Sequence, residues 1–451
     1  MERIGWAQEA SSVTELATVG FAVYVDDARS PLTEVSCAST RTAEGYACSG
    51  RLPLMSSGLH TLSLVAFALD EPSLESGRSA VLRVNVTTGA TSAGAIGTSG
   101  SWQRTGSSVE DMVTSDGVRL RATLAASDIG RPLDLSRTPD GGWYVIETGA
   151  SEPPETRDAA PQTVGLRIRT IRDGKAAAPA AGEIADAIAV GTGGEPVAAL
   201  AVDPDYAKSG YVFVAYSGPE GVRLVRFRVS RERFVDRVIL MDRLPLSPVR
   251  PTVALRFGPD RHLYLATDDG GEPEAAGDLG SFSGKVLRLT ADGTTPRDQR
   301  GLTPVYAISL HAPRGLAWSR PTALWVVDGP GASGTVNRLG LVPGQDELRL
   351  VVDEGRRGRV AERYRLPAGI GATSLAIHPG RRVPEFRGHL FVAARSGGIL
   401  RLRRRADARA IEGSEWLMSH LEEPIRAIGI DADGAIVALG DRLILTLEAA
   451  D

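Results

Sequence analysis

The stretch Leu133-Asp-Leu-Ser-Arg-Thr-Pro-Asp-Gly-Gly-Trp-Tyr-Val-Ile146 decides the fold. An apolar strand start runs into a Pro-Asp-Gly-Gly turn, and a second β-type run follows. The same phrase returns at residues 200–215, 253–267, 315–328, 374–394 and 425–439. Intervals of roughly 50 to 65 residues are those of propeller blades carrying insertions. One blade cannot bury both faces of its sheet alone, so blades stacked about an axis are the natural solution. The fold class read from this is all-β: a six-bladed β-propeller preceded by a small immunoglobulin- or fibronectin-like β-sandwich. A propeller binds ligands at its axial mouth, on the loops between strands.

Composition agrees and sets limits. The 51 glycines and 27 prolines among 451 residues suit a turn-rich β protein. A net charge of −4 gives no basic footprint for nucleic acid. No apolar run reaches membrane-spanning length. Met1-Glu-Arg-Ile-Gly leads straight into polar sequence, so no secretory leader is read in the chain.

Residues from about 12 to 87 show period-two alternation in short strands, as in Phe21, Val23 and Val25 or Leu82, Val84 and Val86, and the sandwich module is bounded at 1–87. Cys37 and Cys48 are the only cysteines and flank one loop. A disulfide between them is favoured over two inert thiols, and it places the domain outside the cytoplasm, periplasmic or secreted. Residues 88–110 read as a flexible Gly/Ser/Thr/Ala-rich linker. Residues 111–451 are then the propeller.

These phrases resemble the soluble glucose/sorbosone dehydrogenases. The resemblance is carried by residues 120–149, by Ala201-Val-Asp-Pro-Asp-Tyr206, by Leu255-Arg-Phe-Gly-Pro-Asp260 through Asp268-Asp-Gly-Gly271, by Gly284-Lys-Val-Leu-Arg-Leu289, by Tyr306 to Leu316, by Leu324-Trp-Val-Val-Asp-Gly-Pro330, and by Gly388-His-Leu-Phe-Val-Ala-Ala-Arg395. It implies six blades, pyrroloquinoline quinone (PQQ) and calcium over the axis, and oxidation of a sugar or other alcohol outside the cytoplasm.

Residue by residue, the implied site is altered. The family's general base is a histidine upstream of the third Gly-Pro-Asp; the matching position holds Arg250. Arginine is protonated near neutral pH and cannot serve as a base, so Arg250 is a candidate to hold charge in the catalytic set instead. The family's Gly-His-Arg-Asn-Pro phrase falls on Ser309, Leu310, His311, Ala312 and Pro313. His311 thus replaces the arginine, and Ala312 replaces an asparagine that touches the quinone. His311 is the surviving acid/base candidate, against the plainer reading of a hydrogen-bonded histidine at a blade edge. Arg314 is the candidate to supply the missing cation, and Arg395 to hold quinone carboxylates. Gly329 and Pro330 match a turn whose carbonyls help bind calcium in the family.

Two charged runs carry weaker signals. Asp268-Asp269-Gly-Gly-Glu272 with Asp278 groups oxygens of the kind calcium takes, but a solvated turn is the simpler reading. The run Arg401 to Arg409 reads as a solvated edge rather than an anion-binding surface. Two functions follow: a PQQ- and calcium-dependent sugar dehydrogenase-like protein with an altered site, or a non-catalytic extracytoplasmic propeller that binds a protein partner or serves as a scaffold. A lactonase-type hydrolase is the weaker third.

Overall fold

A computed structural model describes the chain except residues 1–2, 11, 27, 43–44, 53–57, 70–74, 87–107, 128, 150–162, 173–174, 177–180, 191–193, 330–345, 354–356, 368, 405–410, 419–423, 442 and 451. It divides into two compact units, 1–102 and 103–451. The 88–107 part of the linker reading lies outside the described residues.

The amino-terminal unit is built from two sheets. One holds Arg3–Gln8, Gly45–Arg51 and Thr33–Thr42; the other holds Ala28–Pro31, Val19–Val25, Gly58–Ala68 and Leu82–Val86. The alternation seen in the sequence puts Ile4, Tyr46 and Cys48 of the first sheet into one core with Phe21, Val23 and Leu62 of the second. Cys37 and Cys48 lie opposite each other in paired strands and form a disulfide.

The second unit holds six antiparallel sheets among its described residues. Each repeated phrase is the inner hairpin of one blade. The innermost strands are Pro132–Arg137, Ala198–Val202, Val253–Phe257, Ala312–Arg320, Ala372–Ile377 and Ala427–Ile430. Each packs beside the next, and the last packs against the first, so the ring is closed. The Pro-Asp-Gly turn is built as its residues demand: Gly141 takes φ 92°, and the amide of Thr138 donates to the Gly142 carbonyl at 2.8 Å.

Blades bury both faces against neighbours, so their central strands are apolar without alternation. Leu263–Thr267 and Leu390–Ala394 are buried at every position. The core therefore lies between blades. Phe213 and Leu224 of blade two meet Leu255 and Leu287 of blade three, for example. At the fourth blade this closeness requires glycine: a Cβ on Gly315 would stand 2.7 Å from the Leu375 amide of blade five.

Blade six takes strands from both ends of the unit. Ala427–Ile430, Ile436–Leu439 and Leu443–Ala449 are followed in the sheet by Arg119–Ser127 and Ser108–Val113. The hairpin tip at residues 114–118 is then tied to blade five. Asp116 receives two N–H groups of Arg401 at 2.8 and 2.6 Å, and the Ser115 amide donates to Glu415 at 2.8 Å. Arg401 is fully buried, and Arg404 is nearly so, over the Trp325 ring. The solvated-edge reading of Arg401 to Arg409 is thereby corrected at its described positions. Blade closure needs a cation inside, and a basic run gives no hint of which members turn inward.

Candidate functional site

The loops that feed the six inner strands converge on one axial cavity of about 420 Å³. That lies within the range of pockets for small ligands. Every blade contributes: Leu133, Ala198, Val253, Arg314, Ala372 and, just ahead of the last inner strand, Arg426.

A repeated device holds these loops. At the end of the second strand, blades one, three and four carry a buried carboxylate that accepts backbone N–H groups from the loop entering the first strand. Glu147 accepts from Gly130 at 2.6 Å. Asp268 accepts from Ser247 and Thr252, both at 2.8 Å. Asp328 accepts from His311 at 3.0 Å and Ala312 at 2.8 Å. The acidic loop at 268–269 is thus an internal cap, not a solvated turn, since Asp268 and Asp269 are both buried. Burial pushes the Asp268 carboxyl up to about 7 against the pull of those amides.

Four arginines face the cavity: Arg250, Arg314, Arg395 and Arg426. Arg314 is the extra residue of a β-bulge, where the register slips between Pro313 and Gly315. Bulges re-aim side chains, and this one delivers a guanidinium to the cavity wall. Its Nη1 donates to Asp346 at 2.9 Å and to the Ala372 carbonyl at 3.2 Å. Arg426 donates to Glu195 and to Asp441. Neither Arg250 nor Arg395 has a carboxylate partner among the described residues. The Arg395 guanidinium is held below its ordinary value, first by partial burial and then by the like charge of Arg426. The Thr252 hydroxyl, in the same wall, is buried and has no hydrogen-bond partner among the described residues.

The other residues singled out from the sequence sit elsewhere. His311 is not in the cavity wall. Its Nδ1 faces Asp269 at 3.2 Å, and the Asp269 amide donates to the His311 carbonyl at 2.9 Å. Blades three and four thus share an Asp–His pair that orients the imidazole. Ala312 is buried in its strand, and its methyl group offers no hydrogen bond. Pro330 lies outside the described residues. Gly329 packs under Arg314: a Cβ there would stand 2.8 Å from the guanidinium.

These contacts decide what the site suits. Four guanidiniums and an unpartnered hydroxyl fit an anion bearing carboxylates, which includes PQQ. Calcium finds no site among the described residues. Among the described residues no group of three or more acidic, histidine or cysteine side chains could hold a metal. Of the described carboxylates near Gly329, Asp328 is committed to amides and Arg349, and Asp346 to Arg314 and the Ala372 amide, while Glu347, buried and without a hydrogen bond, is ion-paired with Arg349 at 3.4 Å. A divalent ion about 4 Å from a guanidinium is also opposed by about 8 kcal/mol at an effective dielectric near 20.

The comparisons with known proteins fall in line with this fold. The glucose/sorbosone dehydrogenase family model matches residues 162–444, well over half of the chain. The chain belongs to that family. The quinoprotein glucose dehydrogenase B of Acinetobacter calcoaceticus is 23% identical over 195 residues, 35% of this chain and 38% of that protein. An oxidoreductase of glucose dehydrogenase type from Thermus thermophilus is 25% identical, with a TM-score of 0.56 over 73% of this chain and 99% of that one. The PQQ-bound aldose sugar dehydrogenase of Streptomyces coelicolor gives the same TM-score at 18% identity, over 73% of this chain and 98% of that one, and supports the fold alone. No helix among the described residues is long and apolar enough to cross a membrane.

Proposed function

We propose that the protein is an extracytoplasmic, sugar-dehydrogenase-like propeller with an altered active site, whose axial cavity holds a small anionic cofactor or ligand. The convergence of Arg250, Arg314, Arg395 and Arg426 with the unpartnered Thr252 hydroxyl carries this reading. PQQ is the first ligand to try, because guanidinium forks suit its carboxylates. When bound, it supplies a quinone that accepts hydride from a sugar or other alcohol. Arg250 and Arg395, lacking acidic partners among the described residues, would take its carboxylates. Proton removal would fall to His311, held in one orientation by Asp269. The Cys37–Cys48 bridge supports a periplasmic or secreted location, since such bonds persist in oxidising compartments. The two-sheet amino-terminal unit supports its assignment as an immunoglobulin- or fibronectin-like module.

One observation favours the second reading, a non-catalytic binding module. The only acid/base candidate in the phrase, His311, is engaged between blades rather than exposed in the cavity wall. A single experiment separates the two. The purified protein is titrated with PQQ, with and without calcium, and assayed for sugar-dependent dye reduction. Tight binding with turnover that His311→Ala abolishes supports the dehydrogenase. Binding without turnover supports the binding module. No binding in any condition refutes the ligand-holding cavity.

A further inference from the structure

The turn at Gly329 lies under a guanidinium. We infer that Arg314 is the built-in cation of this cavity, so that the cavity takes up its anionic ligand without calcium. The inference rests on the ligand-holding reading above and adds how the anion's charge is met.

Three features place Arg314 in that role. The β-bulge between Pro313 and Gly315 throws its side chain toward the axis. The Asp346 carboxylate then fixes it, accepting from Nη1 at 2.9 Å, while the other Asp346 oxygen accepts the Ala372 amide of blade five at 2.6 Å. Glycine at 329 leaves the guanidinium room to lie flat against the backbone, since a Cβ would meet its Cζ and both terminal nitrogens at 2.8 Å. Among the described residues the bonds Arg314 makes run from Nη1, to Asp346 and the Ala372 carbonyl. Nε and Nη2 keep their N–H groups for a ligand in the cavity.

Charge around the cavity supports the same conclusion. Asp346 and Asp441 each answer one arginine, and Glu195 bridges Arg426 and Arg131. Arg250 and Arg395 are left without an acid among the described residues, so an incoming anion completes the set. A divalent cation would enlarge the excess of positive charge; among the described carboxylates near Gly329 only Glu347 has oxygens without a hydrogen bond, and it is ion-paired with Arg349 at 3.4 Å. The anion's acidic groups are carboxylates or phosphates, which guanidinium forks bind alike.

The test is calorimetric titration of the whole chain with PQQ, citrate and glucose 6-phosphate, each in excess EDTA and again in excess calcium. At least one probe should bind with the same affinity, within about twofold, in both buffers; the citrate and glucose 6-phosphate arms tell carboxylate from phosphate chemistry. Arg314→Gln should weaken that binding about tenfold or more, the loss of one charged contact, and Arg314→Lys should fall between. Thermal unfolding of both variants checks that the fold is kept, and Arg314→Lys retains a charge opposite Asp346. Binding that appears only with calcium, or an unchanged affinity in folded Arg314→Gln, overturns the inference while leaving the ligand-holding cavity in place. Absence of binding by every probe in both buffers refutes the ligand-holding reading, and this inference with it.

Discussion

Asp116→Asn loosens the hairpin tip at 114–118 from blade five. The carboxylate accepts two charge-assisted bonds from Arg401, at 2.8 and 2.6 Å. Such bonds contribute about 1.5–3 kcal/mol each. Three facts discount the sum: asparagine keeps one acceptor, Glu415 still neutralises Arg401, and the Asp116 side chain is 30% exposed. About 2 kcal/mol remains. Arg401→Met takes the partner from both Asp116 and Glu415 and loses the cation above the Phe386 ring, so about 4 kcal/mol is expected.

Urea unfolding followed by circular dichroism measures both, with the propeller transition fitted apart from that of the sandwich. Proton linkage supplies a second signature. The Arg401 hydrogen bonds hold the Asp116 carboxyl well below its ordinary 3.8. Its contribution is therefore full above about pH 4 and lost as pH falls toward the folded value. His389, whose Nδ1 accepts from Arg401 at 3.0 Å, acts in a higher window. Burial, then the charge of Arg401, pushes its imidazole from 6.5 down to about 4. The unfolded chain takes up that proton and the folded one does not, so stability falls between those values, by at most about 3 kcal/mol. His389→Gln should flatten that decline, and Asp116→Asn should not. Changes below about 0.5 kcal/mol for both Asp116→Asn and Arg401→Met near neutral pH would refute the clasp, leaving it an ordinary surface pair.

Other outcomes follow from single features. Replacing Cys37 and Cys48 by serine frees a loop with a sequence separation of 11 and should cost the sandwich about 3 kcal/mol in chemical unfolding, with the propeller transition unmoved. Gly315→Ala forces a methyl group against the Leu375 amide and should lower propeller stability by about 1–3 kcal/mol, read as a drop in its melting temperature. Asp268, raised to about 7, stays neutral in the fold while the unfolded chain ionises above 3.8. Its contribution therefore declines as pH rises across that window, and Asp268→Asn should remove the decline from a pH series of unfolding curves.

The ring was legible because its period is local. Each phrase carries its own turn, as at Thr138 to Gly142, and each became an inner hairpin. Three residues that line the cavity were legible for the same reason: Arg250, Arg314 and Arg395 stand at or beside the strand ends that a blade presents to its mouth. Arg426 was missed although it too precedes an inner strand, directly before Ala427; aligning the sixth phrase with the third would have raised it. Thr252 and the Asp269 partner of His311 were missed for another reason. A hydroxyl without a partner, or a carboxylate turned inward, depends on which blades meet, and spacing along one blade carries no such information. The same holds for Arg401, whose partner Asp116 belongs to the far end of the unit.

That junction has a consequence for the order in which the chain is made. Arg119–Ser127 emerges near the start of the propeller, yet its partner Leu443–Ala449 emerges last. At ordinary rates of translation the two are separated by tens of seconds. Throughout that interval one flank of the early strand offers bare amides and carbonyls to any passing chain. Ser108–Val113 can shield only the opposite flank, and the charges of Arg119 and Arg121 are the nascent protein's defence until synthesis ends.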